Sequence, residues 1–242
     1  ADLVAYRVET LLDGIGAVTV SDVKPELVGD FLSAKRAKGM AVQTSNNYLK
    51  DAKGFFNWLV RSKRAAENPI AQVTKIPVTD RARKLRRRAL ELDEAAALLT
   101  ATRNGPVRYN MPAEERYWLY RLALETALRS SELRSLRREN VELNNDEPFV
   151  WLPGDDTKNR KGCELPLKPG TASEIKTFIA SKHTKAALFA TMPPVTDVAY
   201  MLRQDLKAAG VMDDTESGKI DFHALRVTSL SWLADAGTPL RT

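Results

Sequence analysis

The chain has 242 residues, of which 43% are hydrophobic and 28% are charged, and its formal net charge is +6. This length suits one large domain or two modest ones, and such a chain can bury a core without disulfides. No apolar run reaches the roughly 20 residues of a membrane span, and the single cysteine, Cys163, excludes an internal disulfide, so we expect a cytoplasmic protein without a membrane partner.

Residues 1–76 show helical periodicity and predict a compact bundle of about four helices. Apolar residues recur every three or four positions over residues 3–12, and again over residues 25–39, where a proline opens the pattern and a glycine closes it. Thr44 or Ser45 is expected to cap a third helix that ends near residue 60. We therefore assign this region to a helical domain of its own.

Residues 77–88 lack hydrophobic periodicity and predict a basic linker between two domains. The range 43–88, which includes this linker, holds 12 basic and three acidic residues, a net charge of +9. A basic segment on an otherwise near-neutral chain is typical of proteins that bind a polyanion. A solvated basic face would look the same, so the charge alone does not decide between the two.

Residues 89–242 predict a larger domain that is mainly helical with a small antiparallel sheet. Helices are expected near residues 92–99 with Asp93 as N-cap, and at about 113–126, 130–137, 170–181, 196–209 and 223–236. Strands are expected at 141–143, 149–152 and 163–167. The fold class is therefore mainly α, with a helical bundle followed by an α+β domain.

Three stretches of this second domain hold side chains suited to binding a phosphodiester. Arg129 precedes a helix with Glu132 three residues later, Lys158 lies in a polar turn, and His223 and Arg226 share one helix face. Taken singly, these residues are ordinary surface ion pairs, solvated turns or helix caps. Together they offer two guanidinium forks for phosphate oxygens and two groups able to move a proton. No carboxylate cluster indicates a metal, so we expect neither a metal nor a cofactor.

The same stretches resemble the tyrosine recombinases, or phage integrase family. Thr126–Leu133 is similar to the family pattern T-G-L-R-x-x-E-L, and His223–Thr228 is similar to its H-x-L-R-x-T signature. Lys158 with residues 165–167 is similar to the family's hairpin lysine and the strand that follows it. Residues 44–58, followed by 67–69, resemble its core-binding domain, which ends in a similar Asn-Pro. The resemblance implies a SAM-like helical core-binding domain over 1–76 and an integrase catalytic domain over 89–242.

The resemblance also implies roles for the residues of these motifs. Arg129 and Arg226 would clamp the scissile phosphate and stabilise its pentacoordinate transition state, while Glu132 would position the first arginine or its helix. His223 would assist proton transfer at the nucleophile. Lys158 would protonate the leaving 5′-hydroxyl.

The hairpin holds a second lysine, Lys161, which competes with Lys158 for this last role, and Arg160 stands between them. Two further positions depart from the family pattern, since Ala127 replaces its usual glycine and Val227 a frequent second histidine.

The implied partner is double-stranded DNA, which the two domains would wrap like a clamp. The DNA-binding candidates are Thr44, Asn47, Lys50, Lys53 and Arg61 in the bundle and Arg81, Lys84, Arg86, Arg87 and Arg88 in the linker. The full-length protein is expected to act as a tetramer on DNA and the present chain to be a monomer in solution.

The family places its Leu-Gly-His box and its nucleophilic tyrosine after the region of Ala236 and Gly237. None of the six tyrosines in this sequence follows Arg226. We therefore expect a fragment that binds DNA but lacks the nucleophile of its parent, which would cleave and rejoin DNA of a mobile element through a 3′-phosphotyrosine. The alternatives are a non-catalytic DNA-binding protein that retains this fold and a helical scaffold for protein interactions.

Overall fold

The computed structural model describes residues 2–79, 86–157 and 160–237. Three predicted site residues, Arg81, Lys84 and Lys158, lie outside this part of the chain. Among the helices that the structure describes, none combines the length and the apolar character needed to cross a membrane.

The chain divides into two compact units, residues 1–84 (unit 1) and 85–242 (unit 2), and each has a hydrophobic core of its own. Unit 1 contains helices α1 (Asp2–Gly14), α2 (Pro25–Ala37) and α3 (Val42–Arg61) and a short 3-10 turn at Val20–Asp22. The described part of unit 1 therefore has three α-helices rather than about four.

The start of α3 differs from the prediction. Its N-cap is Ala41, so Thr44 and Ser45 lie inside the first turn instead of capping it. Ser45 is buried, and its hydroxyl accepts a hydrogen bond from Arg36 Nη1 at 2.8 Å. The hydroxyl thus joins α2 to α3, a tertiary role that replaces the local capping role we predicted.

Unit 2 is mainly helical with two small antiparallel sheets in its described residues. Its helices are α4 (Leu92–Arg103), α5 (Ala113–Thr126), α6 (Ser130–Ser135), α7 (Pro169–Ala180), α8 (Val195–Ala208) and α9 (Phe222–Asp235), with 3-10 turns at Arg138–Asn140 and Gly154–Asp156. Its strands are β1 (Val141–Glu142), β2 (Phe149–Leu152), β3 (Cys163–Pro166), β4 (Asp214–Thr215) and β5 (Gly218–Lys219).

The three-stranded sheet has the order β1-β2-β3, and Val150 pairs with Val141 on one side and Leu165 on the other. The predicted strands and fold class are thus confirmed.

The N-cap of α4 is Glu91 rather than the predicted Asp93, because the Glu94 carboxylate folds back to accept a hydrogen bond from the Glu91 N–H at 3.0 Å.

A buried charge cluster joins α5 to α8 in unit 2. Asp205 is 1% exposed and accepts hydrogen bonds from Arg116 at 2.9 Å, Arg108 at 2.9 Å and the Tyr120 hydroxyl at 2.9 Å. Arg116 is itself fully buried. Burial and the Asp205 carboxylate raise the pKa of Tyr120 well above its ordinary value, so the phenol stays a donor.

We expect Asp205→Asn to lower the free energy of unfolding by about 3 kcal/mol or more, because it leaves the buried Arg116 cation without a charged partner. Urea unfolding followed by circular dichroism would measure this loss. The matched control is Asp213→Asn, which breaks an exposed pair with Arg203 and should cost less than about 1 kcal/mol. Equal losses in the two variants would contradict the structural role of the cluster.

Candidate active site

The turn between α5 and α6 presents Arg129. Ala127 ends α5 in the left-handed conformation, with φ of 55° and ψ of 23°, which is where glycine is the usual residue. The turn buries Leu128 and makes Arg129 the N-cap of α6.

Glu132 holds Arg129 at two points. One carboxylate oxygen of Glu132 accepts a hydrogen bond from the Arg129 N–H at 2.7 Å, and the other accepts one from Arg129 Nη1 at 2.8 Å. The Glu132 side chain is 6% exposed, whereas 35% of the Arg129 side chain is exposed. A buried carboxylate therefore fixes the guanidinium while leaving part of it open to a ligand.

The first turns of α9 carry His223 and Arg226. Asp221 is the N-cap of this helix, and its carboxylate accepts a hydrogen bond from the Ala224 N–H at 3.0 Å. Arg226 Nη1 donates a hydrogen bond to the carbonyl oxygen of Ala127, 99 positions earlier in the sequence. This bond brings the two arginine motifs to one place.

Arg129, His223 and Arg226 line one cavity of about 220 Å³. Leu128, Ser130, Asp221, Phe222, Val195, Val198 and Ala199 complete its wall. Burial and the neighbouring Arg129 cation lower the pKa of Arg226, whereas Glu132 raises it. Two guanidinium groups thus repel each other at the cavity wall, and an anion placed there would relieve this repulsion.

His223 is biased toward its neutral form. Partial burial lowers its pKa first, and the Arg87 cation second, while Asp221 opposes both and the two site arginines lower it further. A neutral imidazole can accept a proton near neutral pH. The electrostatics therefore fit His223 for proton transfer rather than for a permanent positive charge.

Arg87 reaches this site through Asp221. Arg87 Nε lies 2.9 and 2.8 Å from the two carboxylate oxygens of Asp221. The backbone of the same segment pairs with β5, where the Lys219 N–H donates to the Arg86 carbonyl at 2.8 Å. A Cβ on Gly218 would lie 3.0 Å from that carbonyl oxygen, and its φ is +139°, so glycine permits this close pairing.

The other two linker arginines of the prediction differ in their surroundings. Arg86 is exposed. Arg88 is half-buried, and its guanidinium nitrogens lie 2.6 and 2.8 Å from the Glu94 carboxylate. Arg87 and Arg88 thus have carboxylate partners inside unit 2.

The hairpin between β2 and β3 holds Arg160 and Lys161, both exposed. The Thr157 hydroxyl donates to the Lys161 carbonyl at 2.8 Å and accepts from the Lys161 N–H at 3.1 Å, which ties Thr157 to Lys161. A Cβ on Gly154 would lie 2.8 Å from the Arg160 carbonyl oxygen, so the backbone of Arg160 packs closely against this glycine. With Lys158 outside the described residues, the choice between it and Lys161 stays a prediction.

The DNA-binding candidates of α3 differ in exposure and in their contacts. Lys50 and Arg61 are exposed, and Asn47 and Thr44 are half-buried. Lys53 Nζ donates a hydrogen bond to the Ala71 carbonyl at 2.7 Å, which ties it to unit 1.

Sequence reasoning missed three features of the site. These are the pairing of Arg87 with Asp221, the role of Asp221 as N-cap of α9, and Ser130 in the cavity wall. An aspartate directly before a helical pattern is a capping signal that could have identified Asp221. The Ser130 hydroxyl is buried and has no hydrogen-bond partner among the residues that the structure describes.

Within the described part of the chain, no group of three or more histidine, cysteine or acidic side chains is arranged to hold a metal ion.

We expect Arg87→Gln to raise the pKa of His223, because it removes a cation and frees the Asp221 carboxylate to act on the imidazole. Asp221→Asn should lower the pKa of His223, because the Asp221 carboxylate is the neighbouring group that raises it. A titration of the His223 ring by NMR measures both shifts. Arg103→Gln, which removes a cation paired with Glu174, is the control. An unchanged His223 pKa in both Arg87→Gln and Asp221→Asn would contradict the influence of these two side chains on the ring.

Comparison with solved structures supports the fold at low sequence identity. A Tn1549 transposon integrase in complex with transposon right end DNA superposes with a TM-score of 0.71 at 17% identity, covering 98% of this chain and 82% of that one. A lambda integrase dimer bound to a COC′ core site gives 0.70 at 14% identity, over 97% and 82% of the two chains. A lambda integrase tetramer bound to a Holliday junction gives 0.66 at 14% identity, over 96% and 66%.

Comparison of sequences shows the family. The tyrosine recombinase XerC of Xylella fastidiosa strain M23 is 28% identical over 151 residues, which are 62% of this chain and 47% of the relative. The chain thus spans about half the length of the curated relatives it matches. The profile of the phage integrase family matches residues 88–242, which include both arginine motifs, so the chain belongs to the phage integrase family of tyrosine recombinases.

Proposed function

We propose that this chain is the DNA-binding and phosphate-activating part of a recombinase that cleaves and rejoins DNA. The observation that carries the proposal is the pair of guanidinium groups, Arg129 and Arg226, at the wall of one cavity beside a histidine of lowered pKa. Arginine stays charged and presents two donors to two oxygens, so the pair suits a phosphodiester. Family membership supports the same substrate class.

In the proposed cleavage step, a tyrosine oxygen attacks the scissile phosphorus and the bond from phosphorus to the 5′ oxygen breaks. The products are a 3′-phosphotyrosine and a free 5′-hydroxyl, and the reverse attack by a hydroxyl of another strand rejoins the DNA. Arg129 and Arg226 would stabilise the charge that develops on the non-bridging oxygens. Glu132 acts on this step as a positioning residue through its two bonds to Arg129.

Two proton transfers accompany this step. The attacking tyrosine loses its proton, and we assign its acceptance to His223, because a lowered pKa favours the neutral imidazole that can take a proton. The leaving 5′ oxygen gains a proton, which we assign to Lys158, with Lys161 as the alternative. The tyrosine itself would come from outside these 242 residues, since no tyrosine follows Arg226 here.

Unit 1 and the linker would hold the duplex. Asn47, Lys50, Arg61 and the arginines of the linker supply the cations and amides for this contact, and the basic segment 43–88 gives it a net charge of +9. Assembly as a tetramer on DNA is proposed for the full-length protein, by analogy with the lambda integrase tetramer on a Holliday junction.

The direct test is covalent capture by the full-length protein. A nicked duplex, built on the sequence that the protein selects from a random pool, should trap a protein–DNA adduct. Arg129→Gln or Arg226→Gln should slow adduct formation by about 10² or more, because each removes a donor to the developing oxyanion. Gel analysis of the adduct over time measures the rate.

The matched control for that test is Arg203→Gln, which removes an exposed cation paired with Asp213 and should leave the rate unchanged. Duplex binding without any adduct would favour the alternative, a non-catalytic DNA-binding protein with this fold. Absence of duplex binding at low salt would contradict both.

A further inference from the structure

Ser130 has a hydroxyl that the folded chain leaves without a partner. Its side-chain oxygen is buried and makes no hydrogen bond to any residue in the described part of the chain. An unpaired buried donor costs stability, and the large majority of buried hydroxyls in folded proteins are paired. The stability of the fold therefore gives no reason for a serine here, because alanine would avoid that cost.

This hydroxyl belongs to the wall of the candidate active site. Ser130 follows Arg129 directly and is the first residue of α6. It lines the same cavity of about 220 Å³ as Arg129, His223 and Arg226. The residue as a whole is half-buried, so other atoms of Ser130 are accessible while its oxygen is not. The unpaired donor is thus part of the surface that the two guanidinium groups share.

The Ser130 oxygen can change its direction without a change in the backbone. Rotation about one bond, from Cα to Cβ, sets the position of a serine oxygen, and this bond has staggered alternatives. No hydrogen bond to a described residue holds the oxygen where it lies. Rotation toward a ligand in the cavity would therefore break no such bond and would give the hydroxyl its missing partner.

A phosphodiester in the cavity would supply this partner. Its non-bridging oxygens are charged, and hydrogen bonds to a charged oxygen are about twice as strong as neutral ones. Arg129 Nη1 already donates to Glu132, and Arg226 Nη1 to the Ala127 carbonyl, so some donors of each guanidinium are in use. A neutral hydroxyl adds a donor without a third positive charge, in a place where the Arg129 cation already lowers the pKa of Arg226.

We propose that the Ser130 hydroxyl donates a hydrogen bond to a non-bridging oxygen of the scissile phosphate and is a further catalytic residue. The inference deepens the proposed function and rests on it, because the scissile phosphate is the ligand in both. Ser130 keeps its proton, and no covalent bond forms or breaks at it. The family pattern T-G-L-R-x-x-E-L does not specify this residue, since Ser130 and Ser131 occupy its two open positions.

The test compares these two adjacent serines. Ser130→Ala removes the buried hydroxyl, and the matched control Ser131→Ala removes an exposed side chain's hydroxyl from the next position of the same helix. The rate of adduct formation by the full-length protein is measured on a nicked duplex of the selected sequence. Urea unfolding of the 242-residue chain without DNA gives the stability of each variant.

We expect Ser130→Ala to slow adduct formation by about tenfold or more, which is the size expected for a lost hydrogen bond to a charged oxygen. Its urea midpoint should stay the same or rise, because alanine leaves no buried hydroxyl unpaired. A residue with a structural role alone would give the opposite pair of results, a lower midpoint and an unchanged rate. Ser131→Ala should leave the rate unchanged.

A second measurement identifies the oxygen that accepts the bond. A methyl group replaces one non-bridging oxygen of the scissile phosphate, and the two stereoisomers of this duplex are used separately. In the isomer that lacks the accepting oxygen, Ser130→Ala should change the rate by less than about twofold, because the contact is already lost. In the other isomer, the effect of about tenfold or more should remain.

The inference is overturned if Ser130→Ala forms the adduct as fast as the wild-type protein, or if Ser131→Ala slows it equally. It is also overturned if the effect of Ser130→Ala is the same on both stereoisomers. A fall in the urea midpoint of Ser130→Ala would assign the hydroxyl to the fold and would overturn it as well. A wild-type protein that forms no adduct contradicts the proposed function itself, which separates the two failures.

Discussion

The hydrogen bond from Arg226 to the Ala127 carbonyl is the contact on which the candidate site depends. It joins the first turns of α9 to the end of α5, so that two arginines from distant parts of the sequence line one cavity. The left-handed conformation of Ala127 makes this possible, because it turns the chain out of α5 and directs Arg129 toward α9. The Arg129 cation then lowers the pKa of Arg226, and a bound phosphate would oppose that effect.

Two carboxylates, the buried Glu132 and the half-buried Asp221, fix the cations around this contact. Glu132 holds Arg129 from a buried position, and Asp221 both caps α9 and pairs with Arg87. Since Asp221 is paired, its charge opposes an incoming phosphate less than a free carboxylate would. The Arg87 cation in this pair lowers the pKa of His223, which favours the neutral imidazole that the proposed proton transfer would use.

Sequence patterns predicted most elements because their periodicity is local. The helix Ala113–Thr126 and the strand Phe149–Leu152 lie where their apolar residues placed them, and Arg129 and Arg226 were recognised from short motifs. Contacts between distant residues were not predictable, such as Arg87 with Asp221, which are 134 positions apart. The strands β4 and β5 have two residues each, too few to show a period of two.

The central claim is that Arg129 and Arg226 hold one and the same phosphate, and a double-mutant cycle on duplex affinity tests it most directly. The affinities of the wild-type chain, Arg129→Gln, Arg226→Gln and the double variant would be measured on one duplex under one salt condition. If both side chains hold a single phosphate, the second substitution costs much less than it does alone, with a coupling of at least about 0.5 kcal/mol. Losses that add within about 0.3 kcal/mol would show that the two arginines act at separate places and would contradict the account.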